Sequence, residues 1–117
     1  MKERINKLIS NLKHLPGVYL MYDKNDTIIY VGKAKDLFKR VSQYFLREQY
    51  GKVAKMVSEA EYFDTIIVNN EKESLVLEMN LIQKHYPKFN ILLPLSSSRF
   101  WCRRTIQHRH LHRWSSP

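Results

Sequence analysis

Two phenols and an ammonium group stand close together in the stretch PGVYLMYDKNDTIIYVGKA, Pro16 to Ala34. Tyr19 follows Gly17, Tyr30 precedes Gly32, and Lys33 comes next. Gathered at one end of a hairpin, such groups can move protons or hold a phosphate oxygen. Val18–Tyr22 and Thr27–Val31 are β-branched and aromatic runs separated by Asp23-Lys24-Asn25-Asp26, which predicts the hairpin. A four-residue connection sets Tyr22 opposite Thr27, so Tyr19 is expected to face Tyr30 directly across the strands. An aromatic cross-strand pair worth about 0.2–1 kcal/mol would explain the rings, but not the lysine beside them. Gly32 is expected to let the backbone turn closely and leave Lys33 at the hairpin mouth.

Further along, Arg40 and Tyr44 are four residues apart, and Arg47 continues that edge beside a Leu37–Val41–Phe45 stripe. Such a border reads equally as solvated charge over the core margin and as guanidinium presented to phosphate. Glu78 is more unusual. Projection of its helix puts Leu75, Val76, Met79 and Ile82 on one arc and Leu77 and Leu81 on another, with the acid between them. An acid among apolar neighbours is either paired, with Arg40 or Lys33 as candidates, or is a hard oxygen ligand for Mg²⁺ or Mn²⁺. Combined, the groups point to phosphodiester hydrolysis. One divalent ion on Glu78 would polarise the phosphate, Arg40 would neutralise developing charge, and a phenol of lowered pKa would act as base toward water. Lys33, Lys35, Arg40 and Arg47 are the candidate nucleic-acid contacts.

These groups need a scaffold. Ile5, Leu8, Ile9 and Leu12 predict a short helix over residues 2–13, closed by Pro16 and Gly17. Helices follow over about 36–46 and 52–60, then a third strand over 62–68. Asn70 with Glu73 resembles a capping box and opens a helix to about His85, which Pro87 stops. The order predicts an α/β (α+β) sandwich: a small three-stranded, mostly antiparallel sheet flanked by helices.

A chain of 117 residues holds one domain. Its net charge of +9 attracts polyanions without specifying sequence. No apolar run is long enough to span a bilayer, the N-terminus lacks a signal-peptide pattern, and the lone Cys102 excludes an internal disulfide. A cytoplasmic protein is expected, with no membrane partner. The chain also has a seam. All eleven acids lie at or before Glu78, while residues 93–117 carry five Arg, no Lys, both tryptophans and three of the five histidines. The domain is therefore expected to end at residue 92. The tail reads as out-of-frame or foreign sequence, or else as a natural basic tail that contacts phosphate. Its alternating His108, His110 and His112 lack a nearby acid or a second cysteine to complete a metal site.

Gly17-Val18-Tyr19 followed by Tyr30-Val31-Gly32 resembles the two-part signature of the GIY-YIG nucleases. The longer stretches LPGVYLMYDKNDTIIYVGKAKDLFKRVSQYF and NNEKESLVLEMNLIQKHYPKFNILL are similar to the N-terminal nuclease domain of UvrC, the incision subunit of bacterial nucleotide excision repair. The resemblance covers residues 10–92 and implies the GIY-YIG fold with a single divalent ion on Glu78. It implies Tyr30 as general base, Arg40 at the scissile phosphate, and Tyr19, Lys33 and Tyr44 around phosphate and water. Asn90 matches the asparagine that follows the metal-bearing helix. The resemblance further implies double-stranded DNA as substrate, incision on the 3′ side of a lesion, and action on a UvrB–DNA complex. The UvrB-engaging segment, a second nuclease domain and helix-hairpin-helix repeats are expected to be absent. A stand-alone GIY-YIG endonuclease of another kind and a DNA-binding remnant that no longer cuts are the alternatives.

Overall fold

The structure, a computed structural model, describes residues 3–92. Cys102, the three tail histidines and the rest of residues 93–117 lie outside the described residues.

Helix α1 (Glu3–Ser10) buries Ile5 and Ile9, four apart on one face. It is shorter than its apolar spacing predicts, because Asn11 and Leu12 donate to the carbonyls three residues back and tighten the chain out of the helix. Strands β1 (Gly17–Tyr22) and β2 (Ile28–Ala34) form the hairpin. Their register differs from the expected one. Tyr19 pairs with Gly32, Leu20 with Val31 and Met21 with Tyr30, and a bulge falls between Met21 and Tyr22. The cause lies in the turn and the bulge together. Asp23 Oδ1 accepts from the amides of Asn25 (2.8 Å) and Thr27 (3.0 Å), while Asp26 adopts φ 62°. The turn closes on Asp23 N donating to Thr27 O at 3.0 Å, which moves the register by one residue, and the bulge between Met21 and Tyr22 moves it by one more.

Asp36 caps α2 (Leu37–Leu46) by accepting from Lys39 N at 3.0 Å. α3 (Gly51–Glu59) leads to β3 (Tyr62–Ile67), which pairs antiparallel with β1, giving the sheet order β2-β1-β3. Asn70 accepts from Glu73 N at 2.9 Å to open α4 (Glu71–His85). The returning Glu73 carboxylate takes the amide of Asn69, one residue outside the cap itself. Tyr86, in the left-handed region at φ 50°, closes α4 before Pro87. A further short helix, α5 (Lys88–Leu92), lacks a predicted counterpart because five residues are too few to show a period.

One sheet face packs under α1, α2, α3 and α5 through Tyr19, Met21, Leu37, Val41, Met56, Phe63 and Phe89. The other face sets Val18, Leu20 and Val31 against Ile82 of α4. Gly17 is fixed by proximity: a Cβ there would collide with the Ile66 carbonyl and lie 2.7 Å from Leu37 Cδ1. A backbone carbonyl in a strand has little freedom to retreat. Gly17→Ala is expected to lower unfolding free energy by about 1–3 kcal/mol, read as a shift in the urea midpoint with unchanged slope.

Candidate active site

Three phenols meet where β1, β2 and α2 converge. The ring centroids of Tyr19, Tyr30 and Tyr44 lie 5.8–6.4 Å apart, and the Tyr19 and Tyr44 hydroxyls are 3.0 Å apart. Tyr19 and Tyr30 share a face, as alternation requires, but Tyr19 stands opposite Gly32 rather than opposite Tyr30. Gly32 is not a turn residue. A Cβ there would strike the phenol end of Tyr19, so its role is to leave room for that ring.

Glu78 lies at the centre of the buried stripe of α4, which runs Ser74, Glu78, Ile82 at one-turn intervals. The expected inner arc differs, since Val76 is 53 % exposed. Glu78 is 2 % exposed and its charge acts on Tyr30. Burial pushes the Tyr30 hydroxyl well above a phenol's usual pKa, and Tyr44 and Glu78 push the same way, while Arg40 alone opposes them. Tyr19 is raised in the same manner, first by burial and then by Tyr30 and Tyr44. The expected lowering of a phenol is therefore not produced by the protein's own groups: desolvation outweighs the nearby guanidinium. Arg40 in turn is held above its ordinary value, because Tyr19, Tyr44 and Tyr30 together outweigh the effect of burial on it.

The remaining candidates divide. Lys33 falls on the Val31 face of β2, opposite that of Tyr30, and lines a cleft with Lys35, Arg40 and Glu71. Lys35 is exposed and sits 3.5 Å from Glu71. Arg47 leaves the cleft altogether. The helix ends at Leu46, so Arg47 is its extended C-cap rather than the next residue on the Arg40 edge. Asn90 is fully buried. Its Oδ1 accepts from Val31 N and its Nδ2 donates to Val31 O, both at 2.8 Å. Both halves of the amide are committed to the main chain between Tyr30 and Gly32, so Asn90 fixes that stretch of β2. Sequence reasoning missed Lys39 and Gln43, which line the cleft with Arg40; the four-residue spacing of Lys39 and Gln43 and the three-residue spacing of Arg40 and Gln43 were the available signal.

A buried carboxylate is a hard oxygen donor of the kind that magnesium or manganese takes, and Tyr30 is a phenol on which its charge acts. The donor set fits such an ion. Among the described residues no group of three His, Cys, Asp or Glu side chains comes together.

The chain belongs to the UvrC-like GIY-YIG domain family, whose model matches residues 15–91. It is similar to the GIY-YIG N-terminal endonuclease domain of UvrC from Thermotoga maritima bound to its catalytic divalent cation, magnesium. That likeness has a TM-score of 0.69 at 45% identity, covering 76% of this chain and 98% of that one. It is also 61% identical over 90 residues to UvrABC system protein C of Finegoldia magna, covering 76% of this chain and 15% of that protein. The corresponding protein of Methanosarcina barkeri is 49% identical over 92 residues, 78% of this chain and 18% of the relative. The chain thus spans less than a fifth of the length of these curated relatives.

Two outcomes follow from this geometry. Asn90→Ala is expected to cost about 1–3 kcal/mol for each Val31 group left unsatisfied, measured by chemical denaturation. Raised phenols make stability depend on alkaline pH. Below the unfolded-state phenol pKa near 10, both states hold the proton and the contribution is complete. As pH climbs from there toward the folded values, the unfolded chain ionises first and stability falls. Tyr30→Phe should make that alkaline decline shallower than in the parent, read from urea midpoints between about pH 9 and 11.

Proposed function

We propose that residues 1–92 form a magnesium- or manganese-dependent endonuclease domain that hydrolyses one phosphodiester of double-stranded DNA, making the 3′-side incision in nucleotide excision repair. The observation that carries this reading is the convergence of three phenols, Arg40 and the buried Glu78 from four separate elements beside a cation-lined cleft. Family membership supports the same chemistry.

In this reading Glu78 holds the divalent ion. Once bound there, the ion supplies Lewis-acid polarisation of the phosphate and lowers the pKa of hydroxyl groups around it. Tyr30 acts as base through its phenolate: its own proton leaves to solvent first, and the phenolate oxygen then takes a proton from the attacking water. Tyr30 is held protonated by burial, Tyr44 and Glu78, so compensating the Glu78 charge removes one of the three effects that keep the proton on. Tyr44 orients the Tyr30 hydroxyl by a side-chain hydrogen bond, and the 3.0 Å contact with the Tyr19 hydroxyl holds Tyr44 in turn. Arg40, already positively charged and stationed beside the phenols, neutralises charge developing on the phosphoryl oxygens. Lys33 and Lys35 hold the flanking backbone by charge. Asn90 fixes the β2 main chain that carries Tyr30. The partner in repair is a UvrB–DNA complex, in the cytoplasm; no described helix is long and apolar enough to cross a membrane.

The test is duplex nicking in magnesium and in manganese, with and without UvrB. Glu78→Gln and Arg40→Ala are each expected to slow cleavage by about 100-fold or more while leaving duplex binding measurable. Undiminished cutting by Glu78→Gln would remove the acid from the mechanism. A dependence on UvrB would tie the cut to excision repair.

A further inference from the structure

Two clefts lie along α2 and share Arg40 and Gln43. The first, about 290 Å³, is bordered by Lys33, Lys35, Lys39 and Arg40, with Asp36 and Glu71 as its acids. The second, about 230 Å³, is bordered by Arg40, Gln43, Tyr44, Gln49 and Val53, and Arg40 is its only charged residue. They are therefore unlike in chemistry although they run on from one another. At the N-terminal end of α2 the wall is cationic. At its C-terminal end the wall is amide and apolar, and the backbone carbonyls of the last turn carry negative partial charge. The Gln49 amide is fixed there, Nε2 donating to Gln43 O at 2.9 Å. Gln43 stands between the two clefts with its side chain exposed.

A nucleic-acid strand matches this polarity. Its phosphates suit the four cations, whereas a helix C-terminus lined by carboxamides repels phosphate and suits the sugar or a base edge, which a carboxamide reads through paired donor and acceptor. We propose that α2 divides the DNA contact into two subsites, resting on the endonuclease reading above. Lys39 contacts a phosphate beside the scissile one, and Gln43 contacts the base edge of the adjoining nucleotide on the other side of Arg40. Glu71 tempers the phosphate subsite. It lies 3.5 Å from Lys35 across the cleft mouth, in an exposed pair weak enough for a phosphate to displace.

The assay is fluorescence anisotropy of the full 117-residue chain on labelled duplexes of several sequences, without divalent metal, so that binding is read apart from cutting. Lys39→Gln should weaken all duplexes alike and reduce the slope of log affinity against log salt by about 0.9. Glu71→Gln should tighten binding severalfold at low salt. Gln43→Ala should leave that slope unchanged but alter the ranking among sequences by about threefold or more. Each position is exposed, and far-ultraviolet circular dichroism of each variant confirms that the fold is kept. An unchanged slope in Lys39→Gln would overturn the phosphate subsite. An unchanged ranking in Gln43→Ala would overturn the nucleotide subsite. Parent protein that binds with these signatures yet never nicks DNA in magnesium would sink the nuclease reading and leave the groove standing.

Discussion

Gly32 has no Cβ, and the phenol end of Tyr19 lies in the space that one would occupy. That single accommodation organises the working end of the sheet. It leaves room for the Tyr19 ring over β2, where its hydroxyl lies 3.0 Å from that of Tyr44 on α2. Tyr30, two residues before the glycine on the same strand face, then completes the triangle. The ladder register, the placement of α2 and the glycine are one geometric condition. Gly17 repeats the device at the neighbouring edge, where β1 passes close to Ile66 and Leu37.

The cluster is electrostatically demanding. Three phenols and a carboxylate are packed where water is largely excluded, and each acidic group raises the cost of ionising the next. Arg40 is the counterweight among the described residues that acts on Tyr19 and Tyr30 together. In the proposed reaction, a site held in this protonated state by its own protein is activated when positive charge arrives, which couples proton transfer to loading with a cation. Arg40 therefore serves the resting fold as well as any phosphate.

Much of the scaffold could be read from residue order. The hairpin runs, the Asn70 cap and the apolar stripe of α2 are local signals, and the elements they predict are present. What escaped depended on contacts distant in sequence or on side chains that imitate backbone. The Asp23 turn, in which one carboxylate holds two amides, shifted the register by one residue, and the bulge between Met21 and Tyr22 by one more. Glu78 was conspicuous as an acid among apolar neighbours, but its position on the inner stripe depends on how α4 lies over the sheet, which periodicity alone misjudged at Val76. Arg47 was misplaced because a helical projection does not know where the helix ends. The role of Asn90 rests on a bond to Val31, 59 positions away, and no local pattern records it.

Those two Asn90 bonds also bear on the sheet as a surface for growth. β2 is an outer strand, and its main chain would otherwise present donor and acceptor to any passing extended segment. By offering one carbonyl and one amide hydrogen to Val31, Asn90 behaves as a strand one residue long. It occupies the template position while α5 covers the approach. The opposite margin, β3, carries the exposed Ile66 and Ile67 without a comparable surrogate among the described hydrogen bonds. Among the described residues, the sheet edge that keeps its template open is thus β3, away from the strand that carries Tyr30.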